Sequence, residues 1–271
     1  MTQTEISAKE VMALRQRTGL SMMECKKALV EAGGDAEAAE DLLRKKMKGK
    51  MDTRTDRAAG EGRIAVAIDG SSASIVELRA ETDFTAKNET FVNAANDAAK
   101  AALSGNAGAV TPSDETAKAI DNLRISTGEN ISLARGVKMT GENVCYGSYV
   151  HHDGKTGVLV QGTAGIADEV LRDICMHITA ASPRPEGVTR DDVPAELIEK
   201  ERKLAMEMAI EGGKNEEIAA KMVEGKINKL YSELALLEQP FVKDDTKKIK
   251  DLLTGDQTIL AFERWEVGGG A

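Results

Sequence analysis

Apolar positions recur at helical spacing across residues 7–47, where Val11, Leu14, Ala28, Leu29, Leu42 and Leu43 can turn inward together. Ser7-Ala8-Lys9-Glu10 and Ser21-Met22-Met23-Glu24 each have the spacing of a capping box. In that motif a hydroxyl and a carboxylate satisfy the orphan amides at a helix start. Gly19 and Gly33-Gly34 supply the stops, and Asp35 can cap a third helix running through Leu42 and Leu43. The pattern predicts three short helices around one small core. Residues 48–61 lose this periodicity and read as a linker, which would leave the three-helix module mobile relative to the rest of the chain.

Strand-like alternation begins next. Arg63–Ile68 leads into Asp69-Gly70, a hairpin signal, and Ser74–Ala80 returns. Phe91–Leu103 and Thr116–Ser126 read as helices. The same order then repeats: Tyr146–His152, Asp153-Gly154, Gly157–Gly162, and an aliphatic helix over Glu169–Ala181. Strand, Asp-Gly, strand, helix thus occurs twice, about eighty residues apart, which predicts two similar α+β subdomains with small antiparallel sheets.

From Pro194 to Glu238 the period is helical again, with Leu197, Leu204 and Met208 before Gly212-Gly213. Asn215 caps a restart carrying Ile218, Met222, Ile227 and Leu230. Charged outer faces suit an antiparallel coiled-coil hairpin inserted in the second subdomain. A short helix over Thr246–Leu253 and a strand over Ile259–Val267 complete the expected α+β fold. The domain boundaries are then 1–47 for the three helices, 48–61 for the linker, 62–143 for the first subdomain, 144–193 with 239–271 for the second, and 194–238 for the hairpin.

Composition narrows the chemistry. Aromatic residues make up only 3% of the 271, so the core must be aliphatic and Ala-rich, and each exposed aromatic becomes informative. The charge is −9, with 36 Lys and Arg against 45 Asp and Glu, which disfavours direct nucleic-acid binding. The one basic run, Arg44–Lys50, fits a helix C-terminus whose cations complement the backbone dipole. Cys25, Cys145 and Cys175 are isolated from one another, as in a reducing cytoplasm. No apolar run reaches membrane-spanning length, and Met1-Thr2-Gln3-Thr4-Glu5 has no leader-like character. A cytoplasmic chain without a membrane role, beginning where the sequence begins, is expected.

Motifs of catalysis are missing: there is no phosphate-cradling GxxxxGK[ST], no GxGxxG after a strand, no HExxH and no GxSxG. Cys145, His151, His152, Cys175 and His177 are the one candidate metal constellation, yet their spacing is poor. His151 and His152, adjacent on a strand, would point to opposite faces, and Cys175 and His177 lie two apart on a helix. Neither an enzyme, a metal nor a cofactor is expected. Glu81–Glu89 stands out instead, because it sets Phe84 in a polar loop before a helix. Two readings are open. Phe84 folds back as a hydrophobic staple while Asp83 or Thr85 caps the next helix, or Phe84 is an aromatic anchor presented to a partner.

Thr82-Asp83-Phe84 with Ala86-Lys87 resembles the TDFxAK signature of the elongation factor Ts family. Leu14-Arg15-Gln16-Arg17-Thr18-Gly19 followed by Met22–Leu29 is similar to that family's N-terminal signature, LRxxTGxxMxxCKxAL. Shorter matches come in order: Gly128-Glu129-Asn130-Ile131, Gly147-Ser148-Tyr149, Met176-His177-Ile178, Lys221–Gly225 and Gln239-Pro240-Phe241-Val242. The resemblance implies a ubiquitin-associated-like three-helix module, a duplicated α+β core and an inserted coiled coil. It also implies guanine-nucleotide exchange on elongation factor Tu, engaged first with GDP and then nucleotide-free. Thr82, Asp83, Phe84 and Thr85 would be the loop that dislodges the partner's Mg²⁺, and Lys26, Gly128 and His151 would make further contacts. Thr85 stands where the family often has Val, and Thr127 where an aliphatic residue would suit a pocket. The C-terminal helical module of some members is not expected after Val267-Gly268-Gly269-Gly270-Ala271. Two other classes remain as alternatives: a protein-binding adaptor acting through Met22-Met23 of the three-helix module, and a metalloenzyme using the cysteines and histidines.

Overall fold

In the computed structural model, which describes residues 6–269, Ser7 and Ser21 each open a helix through a complete capping box. The first five residues, where no leader is expected, and the last two lie outside the described residues. Helix α1 (Ala8–Thr18) stops at Gly19, whose φ of 69° is the left-handed conformation a helix-ending glycine adopts without strain. Helices α2 (Met22–Glu31) and α3 (Ala36–Asp52) come next, the latter capped by Asp35 through the amides of Glu37 and Ala38. Val11, Leu14, Leu20, Cys25, Leu29 and Leu43 bury together between the three helices.

The expected linker carries structure. Helix α3 continues to Asp52, and the turn after it is tied down by Arg54, whose Nη1 donates to the Gly128 carbonyl at 2.7 Å. The basic run of α3 is likewise engaged, with Arg44 donating to Asn122 at 3.2 Å and Lys48 paired with Asp121 at 3.2 Å. These contacts oppose the mobility expected of the three helices.

Two compact units divide the chain. The first takes the chain up to Ala67, Val76–Lys138 and the C-terminal residues from Val267. Its sheet orders four strands as β1 (Glu61–Asp69), β2 (Ser72–Ala80), β4 (Ser132–Thr140) and β3 (Gly108–Ala109). One short helix, α4 (Asp83–Lys87), and two longer ones, α5 (Glu89–Ala102) and α6 (Asp114–Thr127), complete it. The core joins Val76, Leu78 and Ala80 to Phe91, Ala95, Ala98 and Ala99 of α5 and to Ile120 and Leu123 of α6. Alanine on the inner face of α5 lets the helix lie close to the sheet, in keeping with the scarcity of aromatics. Strand β4 went unread in the sequence because only Gly136 along it is buried.

The second unit takes Ile68–Ile75 and Met139–Glu266. Its three-stranded antiparallel sheet runs β5 (Val144–Val150), β6 (Thr156–Thr163), β9 (Ile259–Glu266), and α7 (Asp168–Ala180) packs on β5 and β6. A Cβ on Gly147 would sit 2.5 Å from the Leu171 Cβ, so the glycine is what admits α7 to the sheet. Helices α8 (Ala195–Glu211) and α9 (Glu216–Leu234) pack against each other, with Asn215 capping α9 through the Ile218 amide.

Two expectations are corrected here. The seam between α8 and α9 is formed by Ile198, Ala205, Val223 and Ile227 with Leu197 and Leu230 packed against it, so Leu197, Ile227 and Leu230 of the expected stripe turn inward while Leu204, Met208, Ile218 and Met222 are exposed. Small residues at a seam allow close approach, which a count of large apolar positions misses. The helix expected over Thr246–Leu253 is instead strand β8 (Asp244–Lys248), paired with β7 (Pro240–Phe241), and then a 3-10 turn over Ile249–Leu252. Ile249 is buried in that turn, and Leu252 and Leu253 pack partly buried against the same core, so the inward residues come from a turn and its exit and not from a helical face. The observed α+β class matches the expectation.

Candidate functional site

Strand β2 delivers the chain to Glu81 and Thr82, and α4 then makes one short helix of five residues. Its cap is Thr82, with extended backbone at φ −125° and ψ 152°, whose hydroxyl accepts from the Thr85 amide at 3.3 Å. Neither Asp83 nor Thr85 caps the following helix; Asn88 does, through the Thr90 amide at 2.9 Å. Thr85 and Ala86 face inward and are buried. A helix this short has one inward face, so Phe84 is turned away from it and is 84% exposed. The staple reading therefore fails, and the aromatic buried in the first turn of α5 is Phe91. Asp83 pairs with Lys87 one turn later at 2.7 Å.

The loop is fastened to the turn after α6. Gly128 ends that helix at φ 73°, and its amide donates to the Arg124 carbonyl at 2.9 Å. The next residue, Glu129, receives four hydrogen bonds from the loop. The amides of Glu81 and Thr82 donate to Oε2 at 3.1 Å each, and the hydroxyls of Thr82 and Thr85 donate to Oε1 at 2.7 Å each. Glu81 answers by accepting from the Asn130 amide at 2.7 Å, and its carboxylate lies 3.6 Å from Arg57. Asn130 in turn donates to the carbonyls of Thr55 and Arg57 at 2.9 and 2.8 Å. The departure at Thr85 is thus used, since its hydroxyl makes a bond that valine could not. Thr127 points its hydroxyl at the Leu123 carbonyl, at 2.7 Å.

Of the other residues singled out in the sequence, Gly128 adjoins this loop, whereas Lys26 sits exposed on α2. His151 belongs to the second unit. Strand β5 ends at Val150, so His151 and His152 lie in a turn and not on opposite faces of a strand; their ring centroids are 4.2 Å apart. His151 Nδ1 is 3.1 Å from Asp153. Burial opposes ionisation of Asp153, but the Lys155 amide and His151 outweigh it and hold its pKa below the ordinary value.

The cysteine and histidine constellation does not assemble as a ligand set. Cys145 Sγ lies 3.0 Å from the Thr163 carbonyl, and burial pushes the Cys175 thiol up to about 12. His177 is buried, accepts from the Val242 amide at Nδ1 (3.3 Å) and faces Gln239 Oε1 with Nε2 at 2.9 Å. Nδ1 as acceptor leaves the ring proton on Nε2, the neutral tautomer of a structural histidine. Among the described residues, no three His, Cys, Asp or Glu side chains are grouped to hold a metal ion.

The clasp joins two stretches forty-seven residues apart, and the family model described as Elongation factor TS matches residues 81–269, beginning at Glu81 itself. The chain belongs to the elongation factor Ts family. Relatives carrying that name extend the match to the N-terminal helices. The elongation factor Ts of Alkalilimnicola ehrlichii is 42% identical over 280 residues, covering 98% of this chain and 93% of its own length. That of Hahella chejuensis is 43% identical over 271 residues with the same coverage, and that of Halorhodospira halophila is 42% identical over 276. Among the described residues of this elongation factor Ts family member, no helix is long and apolar enough to cross a membrane.

Glu129 is the site residue that sequence reasoning missed. It stood inside a family-like segment, but nothing local marks it as a hydrogen-bond acceptor for a loop so far away in the chain.

Proposed function

We propose that the chain is a guanine-nucleotide exchange factor of translation elongation, binding elongation factor Tu with GDP and releasing the nucleotide. The observation that carries this reading is Phe84, 84% exposed on a one-turn helix whose base is fastened at four points. A bare aromatic has no stabilising role in the free chain, and it is the kind of group that dominates interface energy. Phe84 and Asp83 enter the partner's nucleotide domain and disturb the groups that hold Mg²⁺ and the phosphates. GDP owes its affinity to that cation and to oriented amides, so the distorted site binds it less well.

Thermodynamics constrains the cycle. A partner that prefers the empty site weakens GDP by its own differential affinity, and GDP weakens the partner by the same factor. The nucleotide-free complex is therefore the tight one. No bond on this chain is made or broken, and it has no enzymatic step of its own. Lys26 on the ubiquitin-associated-like module, Gly128 beside the loop and His151 in the second subdomain add contacts to the same partner. Residues 194–238 act as a coiled-coil insertion between the two parts of the second subdomain, 144–193 and 239–271. The site of action is the cytoplasm.

Stopped-flow release of fluorescent GDP from elongation factor Tu, with and without the full chain, tests the reading. Acceleration by the wild type and its loss in Asp83→Ala/Phe84→Ala is the expected result. Equal acceleration by both chains would refute the assigned loop.

A further inference from the structure

We infer that Glu129 is a positioning residue for exchange, holding the Thr82–Thr85 turn in the orientation from which Phe84 enters a partner. The inference rests on the reading of Phe84 as the entering anchor, and it adds the residue that aims it.

The need for such a residue arises from the size of α4. Helix nucleation is unfavourable, with a constant of about 10⁻³, so a five-residue helix does not hold itself. Phe84 is 84% exposed and gains little anchorage from its own packing. The direction of its ring is therefore set by the backbone of residues 82–85. That backbone is held where Thr85 and Ala86 are buried and where the loop meets Glu129.

The chemistry of the contact is specific to a carboxylate. Two ionised oxygens offer about four lone-pair sites, and four donors occupy them. Two donors are amides at the entry to the turn, and the other two are hydroxyls on Thr82 and Thr85, so one group pins the entry and the middle of the turn together. Both hydroxyl contacts are 2.7 Å, short as expected for a charged acceptor. The base of Glu129 is itself held. Its own amide donates to Thr127 Oγ1 at 3.2 Å, Ile131 is buried, and Arg54 grips the Gly128 carbonyl. Glutamine has the same shape but one carbonyl oxygen, so its NH₂ group would have to face one pair of donors.

The test uses the full chain with Glu129→Gln, Phe84→Ala and the double variant. It measures stimulated release of fluorescent GDP from elongation factor Tu over a range of factor concentrations, and amide hydrogen exchange of residues 81–86. We expect Glu129→Gln to lower the apparent second-order exchange constant about tenfold, equal to ~1.4 kcal/mol. Amides 81–86 should exchange faster while the rest of the first unit keeps its protection. In the Phe84→Ala background the same substitution should cost less than tenfold, because the aromatic anchor is gone and only Asp83 is left on the turn to be aimed.

Wild-type release by Phe84→Ala would refute the loop reading itself. If Phe84→Ala is slow, then wild-type release by Glu129→Gln, or an undiminished tenfold loss in the double variant, overturns the positioning role alone. Should Glu129→Gln lower the melting temperature of the whole chain, Thr85→Val decides, since it keeps the shape and removes one donor. Slowed release with faster exchange at 81–86 supports the role, and wild-type behaviour in both overturns it.

Discussion

Phe84→Ala separates what the side chain does for its own fold from what it does for a partner. In the free chain the ring is 84% exposed, so its removal forfeits almost no buried surface. The stability change should lie within about 0.5 kcal/mol, a melting shift under about 2 °C for a unit of this size. In the complex the balance reverses. Burying a phenylalanine fully yields about 1.5–3 kcal/mol, and scaling by the exposed fraction leaves ~1.3–2.5 kcal/mol for the partner to gain. That converts to about an eight- to sixtyfold slower exchange, at about 1.4 kcal/mol per factor of ten. The assays are calorimetric melting of the variant alone and stopped-flow GDP release from elongation factor Tu at subsaturating factor. A melting loss of the size seen for buried aromatics, about 3–5 kcal/mol, would mean that the ring is packed in solution. Unaltered release would mean that it anchors nothing.

Other outcomes concern the interior. Glu77 is fully buried; burial opposes its ionisation, but the Gly268 amide, Arg79 and Arg135 outweigh that and hold its pKa below 4.5. Glu77→Gln should cost about 1.5–3 kcal/mol in urea unfolding at pH 7, since it removes the charge that Arg79 and Arg135 hydrogen-bond. A depressed carboxylate stabilises above its unfolded pKa, so the wild-type advantage should fade as pH drops below about 4.5 and the two chains should converge. Burial lowers the pKa of His177 from 6.5, an effect its bond to Gln239 only partly offsets. The unfolded chain takes up that proton first, so this group's contribution is complete above pH 6.5 and declines below it, and an NMR titration of the ring should show a midpoint under 6.5. Gly147→Ala should lose about 1–3 kcal/mol by thermal melting, because its methyl would meet Leu171 at 2.5 Å.

What was legible in the sequence shares a cause. Ser7, Ser21, Asp35 and Asn215 each cap a helix through partners three residues away or fewer, so the information is local. The strand pairs around Asp69-Gly70 and Asp153-Gly154 were legible for the same reason, as was the loop that carries Phe84. Features that depend on a distant surface were not. Strand β4 looks polar because, of its own nine residues, only Gly136 is buried. The seam of the helical pair is partly built from alanines, which periodicity alone ranks below Leu204 and Met208.

The candidate site divides along the same line. The residues themselves, Thr82, Asp83, Phe84 and Thr85, stood out by composition and by family likeness, because a lone aromatic in a polar loop is a local anomaly. Whether that aromatic folds inward or faces out could not be read there, because either choice suits a loop before a helix. Tertiary structure decided it by burying Thr85 and Ala86 and by bringing Glu129 to the base of the turn. One carboxylate acts on four donors only when two segments far apart in the chain meet, and that meeting is a property of the packed core, not of either segment.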